Sequence, residues 1–236
     1  MAAAMSQDMD TVVRSLKGNH FSPVEFVEKA DNATQVVLDM IPLEATVGFA
    51  GSMSVIQIRV FSPLRKRGTT LIGLAAPSMS PLEELMRQTS RADVLLTSSN
   101  AVTLDGKLVN IDGMGNRVAG MIFGPKKVIL VIGMNKIVRD VNGAIDRIKN
   151  VIAPYHAMTL GRKAPCATEL RCTDCRSPER ICNVTTIIER KPSSSDIAIV
   201  LVGEDLGLGW DPDWPEDRKE RIASVYQRQM EKIGPR

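Results

Sequence analysis

The chain has 236 residues and 44% hydrophobic content, enough to bury one sizeable core, yet no run approaches the roughly 18 to 20 apolar residues of a membrane span. A formal net charge of +3, with only five Phe, two Trp and two Tyr, argues against a nucleic-acid surface of basic and stacking residues. Met1 to Lys17 has no apolar segment of signal-peptide type, so a soluble protein in a cytoplasmic, reducing setting is expected.

Residues 6 to 17 form a polar helix candidate within an N-terminal extension, 1–20, that precedes an α/β domain over 21–210. Ser22-Pro23-Val24-Glu25 reads as a capping box with proline at the first helical position, predicting a helix to about Met40 that Ile41-Pro42 stops. Ala45 to Ala50 (ATVGFA) is a short buried strand, followed by the Gly51-Ser52-Met53-Ser54 turn and a helix through about Ser62. Strand, Gly-Ser turn, helix aims backbone N–H groups at an anion, but neither a dinucleotide fingerprint nor a P-loop is completed, and a turn that binds nothing fits equally. Arg65-Lys66-Arg67 is the one tight basic cluster and is expected as a solvated helix end.

Thr69 to Ala75 gives a second strand, Ser80-Pro81-Leu82-Glu83 opens a helix to about Thr89, and Ala92 to Leu96 gives a third strand that closes on Thr97-Ser98-Ser99-Asn100. Strands and helices alternating in this way predict a Rossmann-like, mostly parallel sheet whose strand carboxyl ends hold any ligand. An Asp-Gly turn at 105–106 marks an antiparallel hairpin, and the tight turn Asp112 to Arg117 and apolar Val118 to Phe123 continue that excursion. It returns to Lys127 to Ile132 (KVILVI), the most apolar strand, which ends at Gly133-Met134-Asn135-Lys136. A helix follows from about Asp140 to Ile152.

All four cysteines fall in Cys166 to Cys182 with the spacing C-x5-C-x2-C-x6-C. Four thiolates complete one tetrahedral or cluster site, and the flanking Arg162, Lys163, Arg171, Arg176 and Arg180 would offset their charge. Disulfides are disfavoured by the reducing setting, while redox-active thiols and buried structural cysteines remain as other readings. Only Cys172 and Cys175 form a zinc knuckle, and the bacterial ferredoxin spacing is absent. The pattern favours a [4Fe-4S] cluster and leaves zinc as the alternative. His156, ten residues before Cys166, reads first as a packed or solvent-facing histidine, with a ligand role as the second reading. Ile197 to Val202 is the last strand, ending at Gly203-Glu204-Asp205-Leu206-Gly207, and an exposed charged helix is expected over 215–232 within a C-terminal segment, 211–236.

The run Thr97 to Val138 (TSSNAVTLDGKLVNIDGMGNRVAGMIFGPKKVILVIGMNKIV) resembles the LUD (lactate utilisation) domain family, formerly a domain of unknown function. The likeness extends to the turn at 51–54, the four-cysteine segment and Val200 to Gly207. It implies a fold similar to the sugar-phosphate isomerase and CoA-transferase superfamily, and partners among iron-sulfur or flavin oxidoreductase subunits. Two functional expectations follow. One is an oxidoreductase-associated subunit with a [4Fe-4S] cluster on Cys166, Cys172, Cys175 and Cys182 beside a small-anion pocket of Gly51, Ser52, Ser54, Ser99, Asn100, Asp112, Asn116, Arg117 and Asn135. Within it Arg117 either grips the anion or pairs with Asp112. The other is a metal-stabilised enzyme or a regulatory binding protein acting on a sugar phosphate, organic acid or CoA thioester, with structural zinc and with Asp105, Asp112 or Glu204 as acid/base candidates. The charged tail and open sheet edges are compatible with a homodimer.

Overall fold

The computed structural model describes residues 2–76, 80–207, 215–217, 220, 223 and 224, with side chains from residue 8 onward. In chain order the first half comprises α1 (Ala2–Gly18), β1 (Val24–Val27), α2 (Ala30–Asp39), β2 (Val47–Phe49), α3 (Met53–Gln57), α4 (Phe61–Lys66), β3 (Leu71–Gly73), α5 (Leu82–Thr89) and β4 (Val94–Thr97). The second half comprises β5 (Ala101–Thr103), β6 (Leu108–Asp112), α6 (Asn116–Ile122), β7 (Lys127–Gly133), a 3-10 turn (Met134–Lys136), β8 (Ile137–Val138) and α7 (Val141–Arg147). A π-helical segment (Ile148–Ile152), α8 (Ala153–Thr159), α9 (Pro165–Glu169), β9 (Val184–Ile188) and β10 (Asp196–Val202) complete it. Among the described residues no helix is long and apolar enough to cross a membrane.

Six strands form a wholly parallel sheet in the order β1-β10-β7-β4-β2-β3. Its two central strands carry near-continuous apolar runs because helices or a second sheet cover both faces. Alternation along β7 divides the core: Ile129 and Val131 pack with α2, α3 and α4, whereas Val128, Leu130 and Ile132 pack with α1 and α6. Burial of each such side chain stabilises the fold by about 1.5–3 kcal/mol. A second, mixed sheet in the order β8-β5-β6-β9 lies over the α1 and α6 face. Its outer face carries Ala101, Val109 and Ile111 against Ala144, Ile148 and Ile152.

Three local expectations are corrected. The helix read from Ser22 to Met40 begins only at Ala30, because Val24-Glu25-Phe26-Val27 pairs with β10 as an edge strand. A β-branched and aromatic run that can extend a sheet outweighs a local capping pattern. The start of α2 is capped from afar instead, with the Ala30 N–H donating to Glu204 Oε2 at 2.9 Å. Val118 to Ile122 is helical, within α6, and returns the chain to the parallel sheet. The helix expected through Ser62 is broken between α3 and α4 at Arg59, which lies at φ 58°. Most of the helix expected over 215–232 lies outside the described residues.

Gly48 lets α5 press against β2: a Cβ there would stand 2.8 Å from the Thr89 carbonyl oxygen and 2.9 Å from Ala92 Cβ. Gly48→Ala is therefore expected to lower the unfolding free energy by about 1–3 kcal/mol in urea titrations. An unchanged midpoint would mean that α5 yields without cost.

Candidate functional site

The carboxyl ends of β2, β4 and β7 converge on a cavity of about 90 Å³, room for a few waters or one small organic acid. Its polar wall comes from Gly51 and Ser52 after β2, Ser98 and Asn100 after β4, Arg117 of α6 and Lys136 after β7. Met53, Ile152, His156 and Gly207 complete the lining. A larger groove of about 470 Å³ lies at the start of β1, between Lys17 and Glu25.

Lys136 is the unusual residue. It is buried, and its Nζ donates to Ser54 Oγ and Ser98 Oγ, each at 2.8 Å. Among the described residues no carboxylate pairs with it. Burial holds its ammonium well below the ordinary lysine range, and repulsion from Arg147 and Arg117 adds to the effect. The charged form of the amine is thereby disfavoured.

Both arginines are fixed by the scaffold. The Arg117 guanidinium pairs with Asp112, with Nε at 2.9 Å from Oδ1, and it also donates to Asn100 Oδ1 at 2.7 Å. Of the two roles expected for Arg117, the ion pair is present. Asp112 further accepts the Val118 N–H, so the same carboxylate anchors the start of α6. Arg147 donates to the carbonyl oxygens of Asn135 and Asn100, at 3.1 and 2.9 Å. Asn100 ties the cluster together, since its Oδ1 also accepts the Ile111 N–H at 3.0 Å. The result is three cationic side chains around one carboxylate.

Of the residues expected in the pocket, Gly51, Ser52, Asn100 and Arg117 line it, and Ser54 reaches it through Lys136. Ser99 points into the fold, donating to the carbonyl oxygens of Ala101 and Val109. Asn135 is structural in its contacts, with Oδ1 accepting the Leu206 N–H, and Asn116 opens α6 beside Arg117. Asp105 sits in the hairpin turn with Thr103 and Lys107, and Glu204 pairs with Lys29 and caps α2. Neither lines the cavity. Lys136, Ser98 and Arg147 were missed. The clue available was the position of Lys136 directly after the most apolar strand, where a strand end delivers side chains to the ligand edge.

The cysteine segment adjoins this cavity. Cys182 packs against the same apolar cluster as Met53 and Tyr155, a cluster that includes Ile152, and Met53 and Ile152 also line the cavity. The Asn183 N–H donates to the Asp112 carbonyl at 2.9 Å, so β9 leaves the loop beside the carboxylate that pairs with Arg117. All four cysteines are free and half-buried. Burial raises the Cys166 thiol, and the charges of Cys175, Cys182 and Cys172 raise it further, which puts the four within electrostatic reach. Arg180 donates to the Cys175 and Cys182 carbonyl oxygens and approaches Cys182 Sγ at 3.4 Å, while the Asp174 N–H donates to Cys172 Sγ at 3.4 Å. Among the described residues no three of His, Cys, Asp and Glu converge closely enough to hold a single ion.

The family model described as the LUD domain matches residues 9–202. A crystal structure of a DUF162 family protein from Deinococcus radiodurans is similar over 84% of this chain and 98% of its own, with a TM-score of 0.48 and 13% identity. Ribose 5-phosphate isomerase A from Methanocaldococcus jannaschii is similar over 83% of this chain and 85% of its own, with a TM-score of 0.36 and 13% identity. No curated protein matches.

Two outcomes follow from this geometry. Asp112→Asn leaves a buried guanidinium uncompensated and is expected to cost about 3–5 kcal/mol of stability in chemical denaturation, and a loss under about 1 kcal/mol would deny the ion pair that role. For Lys136, the unfolded chain binds a proton that the native chain does not, between the depressed native value and the ordinary value of 10.5. Stability should therefore rise with pH through that window. Lys136→Met should flatten that rise in unfolding curves taken across pH, and an unaltered slope would mean that the native lysine is charged.

Proposed function

The chain belongs to the LUD domain family, and on that premise we propose that it binds a small organic-acid anion at Lys136 beside a [4Fe-4S] cluster, as an oxidoreductase-associated subunit in lactate or related organic-acid use. The observation that carries this reading is the cationic lining of the cavity: Lys136 and Arg117 both reach it, and among the described residues Asp112 is the one carboxylate that pairs with either. A bound carboxylate supplies the missing anion, and the Ser52, Ser54 and Ser98 hydroxyls are placed to meet its oxygens. Enclosure by Met53 and Ile152 strengthens each of these interactions by excluding water.

The cysteine set fits a cluster better than a single zinc ion. Cubane iron-sulfur centres spread their four thiolates around a cube, whereas zinc draws its ligands to one point. The spacing C-x5-C-x2-C-x6-C, with one knuckle where a zinc ribbon has two, favours the former arrangement. Cys166, Cys172, Cys175 and Cys182 would hold the cluster, which supplies one-electron chemistry when bound. Hydrogen bonds from Arg180 and the Asp174 N–H to sulfur would raise its potential by stabilising the more negative state. Cys182 shares one apolar cluster with Met53 and Ile152 of the cavity lining, which supports placing the two groups on the same side of the fold.

Anaerobic purification with iron, zinc and acid-labile sulfide analysis tests the cluster. Iron and sulfide in equal amounts, lost in Cys172→Ser, are expected, and stoichiometric zinc without sulfide would make the loop a structural clip. Calorimetry with lactate and acetate tests the pocket: Lys136→Met should weaken binding by roughly tenfold or more, the loss of one charge-assisted contact. Equal affinity in the variant would remove the anion reading.

A further inference from the structure

We propose that Lys136 is a covalent nucleophile, whose Nζ condenses with the carbonyl carbon of a short 2-oxo acid held in the cavity to form an imine. The proposal rests on the anion-binding reading and adds a bond to it. Three observations support it. The amine is buried yet belongs to the cavity lining, so a ligand that enters the cavity meets it. Its two partners are hydroxyl groups, which leave the nitrogen lone pair free when the amine is neutral. Finally, Arg117, Arg147 and Asp112 together keep a net positive field, and His156 closes the α8 side of the cavity. A lysine that is desolvated and placed next to other cations is the recognised setting for an imine-forming amine.

The ligand class follows from complementarity. A carboxylate answers the guanidinium field, a carbonyl answers the amine, and a cavity of about 90 Å³ admits only a few carbon atoms. Gly207, at φ 76°, closes the chain over Lys136: a Cβ there would stand 2.8 Å from Ser54 Oγ and 3.1 Å from Lys136 Nζ. Only glycine lets this backbone seal the amine.

The step balances without an oxidant. The Nζ lone pair adds to the carbonyl carbon while the C=O π electrons move to oxygen, which takes up a proton. Nitrogen gives up one proton, which that oxygen takes, and a second proton drawn from solvent through the cavity mouth converts the resulting hydroxyl to water, which leaves as C=N forms and nitrogen takes the positive charge. Ser54 and Ser98, each 2.8 Å from Nζ, are positioned to relay these protons. The protonated imine then draws electrons from the adjacent carbon and makes its C–H bonds acidic, so solvent exchange at that carbon is the activity it confers.

The test is reductive trapping. Purified full-length protein is incubated with pyruvate and sodium cyanoborohydride and then mapped by peptide mass spectrometry. One reduced pyruvyl adduct on the peptide holding Lys136 is expected, suppressed by excess lactate, which has no carbonyl carbon to attack. Lys126→Met should keep the adduct, because that lysine is exposed at the far end of the sheet strand. Ser98→Ala retains the amine and should slow adduct formation by roughly tenfold or more. If Lys136→Met fails to fold, the Ser98 variant and the lactate competition still decide the matter. Adduct absent from Lys136, or no greater there than on surface lysines, overturns the proposal. Should lactate nevertheless bind by calorimetry, only the imine falls, and if neither acid binds, the anion reading falls with it.

Discussion

The buried pair between Arg117 and Asp112 is the interaction on which the site depends. Breaking such a pair leaves an unmatched charge out of water, and the cost falls on everything that the two residues organise. Asp112 ends β6, caps the start of α6 through Val118 and receives the Asn183 N–H through its carbonyl. Arg117 reaches across to Asn100, which accepts from it while holding the Ile111 N–H. One ion pair thereby joins the parallel sheet, the second sheet and the entry to the cysteine loop. Because Asp112 is already engaged, it offsets Arg117 and leaves Lys136 without a counter-charge among the described residues. The field in the cavity is a consequence of the scaffold's own pairing.

The second sheet connects this cavity to the cysteines. β9 is its edge strand, and the register that sets Val184 opposite Asp112 fixes Cys182 two residues before that pair. The long helical run from Val141 to Thr159 reinforces the link from the other side. Ile152 and His156 face the pocket and Arg147 holds the Asn135 carbonyl beneath it, while Lys149 pairs with Asp174 and Asn150 accepts the Cys172 N–H at 3.2 Å. A π-helical segment lies between these contacts, at Ile148–Ile152. The extra residue it inserts re-aims the following turn, which lets one helix serve two sites.

The parallel sheet was legible because its strands are short β-branched runs separated by helix-length segments. KVILVI and IAIVLV have no competing local signal, and their pairing follows from burial on both faces. Where a local signal did compete, it misled: Ser22-Pro23-Val24-Glu25 has the chemistry of a helix start, but Val24 and Phe26 complete the exposed edge of β10. β9 was not foreseen, since Val184 to Ile188 is mostly exposed and Thr-rich, and only its pairing with β6 makes it a strand. The same limit applies to the site. Ser52, Asn100 and Arg117 could be named from polar turns at strand ends, whereas burial, the property that sets Lys136 apart, is not written in its neighbours Met134, Asn135 and Ile137. Asp105 and Glu204 carried suitable chemistry in suitable turns, yet the hairpin and the cap of α2 take them away from the cavity.

That contrast explains why the site lacks a glycine-rich phosphate loop. Such loops bind anions through backbone N–H groups and can therefore remain open to water until the ligand arrives. Here the cationic groups are side chains, and side-chain cations facing water would be hydrated, screened and always protonated. Placing one of them behind Ser54, Ser98 and Gly207 lowers its proton affinity, because burial without a counter-charge disfavours the ammonium. The same enclosure costs stability wherever the unfolded chain would hold the proton that the native lysine holds less readily, so the property that sets this side chain apart is imposed by the packing around it.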